Sequence, residues 1–81
     1  MYVNTDHHRP PYTLWTYEEG RLLVFKKDGW AKADINEPHT WEHFATLDEA
    51  VNRAKRETQY DIILYRYWIK DSNMNTVWDT Q

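Results

Sequence analysis

Residues 61–70 read DIILYRYWIK, and the folding of this stretch decides the architecture. Side chains of a strand alternate between two faces. As a strand, it would set Ile63, Tyr65, Tyr67 and Ile69 on one face and Ile62, Leu64, Arg66, Trp68 and Lys70 on the other. A sheet with one wet face alternates apolar and polar positions, and this stretch is apolar on both sides. Something must cover the second face.

Immediately upstream, Thr46-Leu47-Asp48-Glu49 matches a capping box, in which a Thr hydroxyl and a Glu carboxylate reciprocally accept backbone N–H groups. Leu47, Ala50, Val51 and Ala54 then fall on one helical face. Asp48 and Glu49 in the first turn, with Lys55 and Arg56 near the end, suit the helix dipole, and Glu49 with Arg53 forms an i, i+4 pair. The pattern predicts one helix that frays near Thr58. Further upstream, YTLWTY (12–17) and RLLVFKK (21–27) read as strands joined by a turn at Glu18-Glu19-Gly20. Asp28-Gly29 signals a second turn, and WAKADI (30–35) a weaker third strand. NEPHTWEHFA (36–45) reads as a loop with one helical turn at Pro38. Downstream, Asp71-Ser72-Asn73 is a turn and MNTVWD (74–79) a closing strand. Residues 1–11, with Pro10 and Pro11, form an irregular lead-in. The predicted fold is α+β in a single domain, 1–81: an antiparallel sheet of four to five strands with one helix on one face, in the order ββ(β)αββ.

One helix is about 10–12 Å wide with its side chains, whereas four strands at roughly 4.8 Å spacing span about 19 Å. Two of the four residues on the helix stripe are alanine, so the cover is thin as well as narrow. Strands 12–17 and 21–27 repeat the doubling: Tyr12 and Leu14 oppose Trp15 and Tyr17, and Leu22 and Val24 oppose Leu23 and Phe25. With five Trp and six Tyr, an uncovered face would carry several hundred Å² of apolar surface, the size that marks an interaction site. Two self-contained alternatives compete: cross-strand aromatic pairs stabilise exposed hairpins, and residues 1–11 could fold over the open face. Trp15, Tyr17, Arg66, Trp68 and Lys70 are the expected partner-binding residues of the sheet, with Ile63, Tyr65, Tyr67 and Ile69 turned to the helix. From Ala33 to Asn52 the chain has no Lys or Arg. Asp34, Glu37 and Glu42, with Asp48 and Glu49, make an acidic stretch suited to a basic groove, where it would displace nucleic acid; the plainer reading is ordinary helix N-terminal charge and a solvated loop.

Other chemistries find less support. His39-x-x-Glu42-His43 has the spacing of an inverted zinc-protease pattern, but a third ligand and a cleft are also needed; the plainer reading is two exposed loop histidines, and no metal or cofactor is expected. There is no Cys, and the single serine, Ser72, lies in a turn without a neighbouring base. Both glycines are turn residues, so no phosphate loop is present. No catalytic residue is assigned. Arg66, Tyr65, Tyr67 and Trp68 resemble a stacking platform for single-stranded nucleic acid, yet a net charge of −3 disfavours general phosphate binding. No apolar run approaches the roughly 18 residues of a membrane span, and MYVNTDHHRPPY lacks the apolar centre of a signal peptide. The expectation is a cytoplasmic protein that does not engage membranes.

FATLDEAVNRAKRE followed by YDIILYRYW (residues 44–57 and 60–68) resembles small phage-encoded inhibitor proteins with a single helix, of the RNA polymerase-inhibiting and anti-CRISPR kinds. In these a hairpin leads into a capped helix and a strand returns beside the hairpin. The resemblance implies a non-enzymatic, stoichiometric protein that binds and blocks a host nucleic-acid enzyme or defence complex in the host cytoplasm. No site residue carries over by motif. A homodimer through the same face is compatible with this expectation, and a small nucleic-acid-binding protein is the alternative.

Overall fold

The computed structural model describes residues 9–61 and 66–80. Two tight hairpins organise the first half. Strand β1 (Thr13–Glu18) pairs antiparallel with β2 (Arg21–Lys26), placing Trp15 opposite Val24 and Tyr17 opposite Leu22. The two linking residues, Glu19 and Gly20, both have positive φ, 52° and 78°, as a primed hairpin turn requires. Strand β3 (Gly29–Lys32) follows after two residues and pairs with β2, setting Trp30 opposite Phe25. It is the predicted third strand, shifted by one residue and shorter.

The chain then turns back along the sheet. Asp34 fixes the corner: its carboxylate accepts the N–H of Asn36, and its carbonyl accepts the N–H of Glu37. A 3₁₀ turn at Pro38–Thr40 follows. Trp41 then bridges to Lys26 and Phe44 to Tyr12, at the far end of the sheet from Lys32. Residues 33–44 therefore cross the sheet from one end to the other.

Helix α1 (Leu47–Asp61) starts where the capping box places it, with the Thr46 hydroxyl accepting the N–H of Glu49. Its end differs from the expectation. The helix passes Thr58 and includes Asp61, and β4 is only Tyr67–Lys70. The strand predicted for 61–70 thus shortens to its last four residues; Ile62 to Tyr65 lie outside the described residues. The helix runs on because no Gly or Pro occupies 47–61. Strand β4 pairs with β1, and β5 (Thr76–Asp79) pairs with β4. The described residues form a five-stranded antiparallel sheet in the order β3-β2-β1-β4-β5 with one α-helix, which is the predicted class and element order. A register shift between Ile69 and Lys70 makes Val77 an extra residue on β5, so Val77 and Trp78 both reach the core.

The sheet has two apolar faces, each with its own cover. On the helix side Tyr12, Leu14, Phe25, Tyr67, Ile69, Val77 and Trp78 pack with Phe44, Ala50, Val51 and Ala54. The thin alanine stripe is compensated by sheet side chains, with Trp30 edge-on to Phe25 at 5.1 Å and the Arg53 guanidinium over the Phe25 ring. On the opposite, outer face Trp15, Val24 and Trp41 form a second cluster, flanked by Ala33 and Trp68. Trp41 comes from the crossing segment. Residues 33–44 of the chain itself supply part of the cover expected from an outside partner or from the lead-in, of which residues 1–8 lie outside the described residues.

Candidate functional site

The crossing segment does not close the outer face. Beside it runs a groove of about 450 Å³, with Trp15 in its floor and Leu22, Ala33, Ile35 and Met74 along its walls. Arg21, Lys32 and Lys70 also line it, and no acidic side chain among the described residues does. Lys70 holds its ammonium over the Trp15 ring, 5.8 Å from the centroid. Arg21 is the first residue of β2 and Lys32 the last of β3, positions from which a long side chain can turn to either face.

The groove's rim is apolar and exposed. Ile35 is 78% accessible, Met74 43% and Leu22 39%, and Tyr17, opposite Leu22 on the same face, is 52% accessible. Ile35 stands at the corner of the Asp34–Glu37 turn, so it is held outward. Met74 sits in the β4–β5 connection with φ of 66°, a left-handed conformation that a bulky residue rarely adopts. Asp71 organises that connection: buried, it accepts the N–H groups of Asn73 and Asn75 on one carboxylate oxygen.

Of the residues expected at a partner face, Trp15 departs most clearly. It is 1% exposed, covered by Trp41 and tied by its indole N–H to the Thr13 hydroxyl at 2.7 Å; its ring is foundation, not contact surface. Tyr17 is exposed as expected. Trp68 is half-buried on the outer face, away from the helix, while Tyr67 and Ile69 turn inward; Ile63 and Tyr65 lie outside the described residues. Arg66 stacks over the Trp68 ring at 5.6 Å but donates to both oxygens of Asp79. That hydrogen bonding raises the guanidinium pKa further, against the opposing effect of desolvation. Its charge is matched within the sheet. Burial of Tyr67 also removes one ring of the expected stacking platform.

The acidic edge lies on the crossing segment. Asp34 and Glu37 are exposed and line a separate hollow with Lys26 and Lys32 on the far side of that segment. Glu42 is half-buried, and its backbone N–H bonds to the carbonyl of Phe25. The histidine pattern does not become helical: the 3₁₀ turn ends at Thr40, and Nε2 of His43 lies 2.9 Å from the carbonyl oxygen of Pro38. Among the described residues no three His, Asp or Glu side chains gather in a metal-ligating cluster. No helix among them is long and apolar enough to cross a membrane.

Leu22, Ile35, Met74, Arg21 and Lys32 are groove residues that sequence reasoning did not place in a site. Leu22 was visible as one half of a two-faced strand. The Asp34-x-Asn36 spacing is a turn signal that would have set Ile35 outward. Nothing in the sequence marks Met74.

No family model, curated protein or solved structure matches the chain.

Proposed function

We propose that this protein is a non-enzymatic binding module that docks a protein partner on the outer face of its sheet, around Leu22, Ile35, Tyr17 and Met74. The observation that carries this reading is the exposure of Leu22, Ile35 and Met74 along one groove, with Tyr17 beside Leu22, on a face already rigidified by the Trp15–Trp41 pair. Scattered exposed apolar residues are ordinary; a cluster beside a groove is the pattern of an interaction site. The half-buried Trp68 extends the same face, and Trp and Tyr are the residues most enriched at binding hot spots.

The resemblance over about residues 44–70 to phage inhibitors supports a specific version: a stoichiometric blocker of a host nucleic-acid enzyme or defence complex, working in the host cytoplasm. Strand β4 returning beside β1 is the arrangement that resemblance implies.

Affinity capture from a host lysate tests the reading when three baits are compared. Wild-type protein and an Arg56→Glu variant on the helix should retain the same partner, and Ile35→Asp should lose it. Equal retention by all three overturns the assignment to the outer face.

A further inference from the structure

We propose that the groove beside Ile35 receives an acidic segment of the partner, with an apolar side chain seated between Leu22 and Met74 and carboxylates facing Arg21, Lys32 and Lys70. This deepens the binding-module reading and rests on it.

The charge pattern is the first support. The chain carries 13 acidic and 10 basic residues, yet among the described residues the groove is lined by three cations and no acid. Arg21, Lys32 and Lys70 make no ion pair with a carboxylate of the described residues, in contrast to Arg66, which is bound to Asp79. Cations beside apolar surface, in a groove whose described lining carries no acid, complement an anionic partner even though Asp34, Glu37 and Glu18 lie close by, and such complementarity sets specificity and association rate. The acidic side chains of the crossing segment, Asp34 and Glu37, line the neighbouring hollow, which Lys32 also borders.

The rim geometry is the second support. A bulky residue in the left-handed region is strained. Met74 carries such a conformation at the mouth of the groove, and backbone strain of this kind concentrates at functional sites. Methionine also adapts its shape to a bound apolar group. Ile35, also on the groove, is set outward by the Asp34–Glu37 turn.

A protein segment fits better than nucleic acid. Sequence-tolerant single-strand binding needs open ring faces on which bases stack. The ring in this floor is 1% exposed and already occupied by Trp41 and Lys70.

The test is an amide chemical-shift titration of the full chain with three probes. They are a short peptide in which Leu and Phe alternate with Glu, the same peptide with Lys at every Glu, and a short oligothymidylate. The acidic peptide should shift the amides of Gly20–Leu22, Lys32–Ile35 and Lys70–Met74 saturably, and its affinity should fall as salt rises. Combined Lys32→Glu and Lys70→Glu substitution should weaken it about tenfold or more, as expected for two reversed charges. Arg56→Glu should not, and amide dispersion shows whether each variant is folded. Equal binding of the lysine peptide, tighter binding of the oligonucleotide, shifts confined to the helix face, or no saturable binding would each overturn the inference. A partner captured through Ile35 that presents a neutral or basic segment would leave the binding-module reading standing and defeat this one alone.

Discussion

Trp41 stands edge-on against Trp15, their ring centroids 5.1 Å apart and their planes at 79°. This contact is how the middle of the outer face is covered without a second helix. Trp41 is buried, and its indole N–H has no acceptor among the described residues, so it contributes through packing. Trp41→Ala should therefore cost about 3–5 kcal/mol, a large part of the stability of a chain this size. Trp41→Phe should cost much less, because no hydrogen bond is lost. Urea unfolding of both variants checks this; equal costs would contradict the packing account.

Asp71 should matter as much as a core residue. It is buried and gathers the N–H groups of Asn73 and Asn75, which hold the β4–β5 connection and Met74. Removing the acceptor leaves donors unsatisfied, so Asp71→Ala should destabilise by about 2–3 kcal/mol. Asp71→Asn keeps one acceptor oxygen and should restore part of that loss. Thermal unfolding distinguishes the two; an Asn variant no better than Ala would contradict this role.

Glu19 occupies the first linking position of the β1–β2 hairpin at φ 52°. Asn tolerates this region better, and Asn-Gly is the preferred sequence of such turns. Glu19→Asn should stabilise by about 0.5–1 kcal/mol and raise Tm by several degrees. A fall in Tm would show that the Glu side chain contributes more than its backbone costs.

Arg66 should be nearly silent in binding. Its guanidinium is matched by Asp79 on an exposed part of the sheet, and exposed ion pairs are worth about 0–1 kcal/mol. Arg66→Ala should lower stability by no more than that and leave partner affinity within about twofold, equivalent to a few tenths of a kcal/mol. Isothermal calorimetry against the captured partner measures it, and a large loss of affinity would place Arg66 in the interface.

Local chemistry made much of this fold legible. The Thr46 cap, the Glu19-Gly20 and Asp28-Gly29 turns, and the runs of β-forming residues in β1 and β2 led directly to the observed elements. The β4 boundary was not legible, because Ile62–Tyr65 are apolar enough for either state and no Gly or Pro separates helix from strand. The cover of the outer face was missed for a topological reason. Residues 36–45 look like an ordinary loop, and only the sheet order shows that they must travel from Lys32 back to Tyr12, carrying Trp41 over Trp15. That path converted Trp15 from an expected contact into a foundation and left Ile35 exposed in its place. Trp68 was placed on the correct face because Arg66 and Lys70 beside it break the apolar pattern.

Hydroxyl-radical footprinting of the protein alone and bound to its captured partner tests the central claim most directly. The side chains of Tyr17, Leu22, Ile35 and Met74 are open to the probe in the free protein. On binding, all four should be protected together, with exposed helix residues such as Asn52 and Arg56 labelled as before. Protection confined to the helix, with Ile35 and Met74 still labelled at the free rate, would contradict the account.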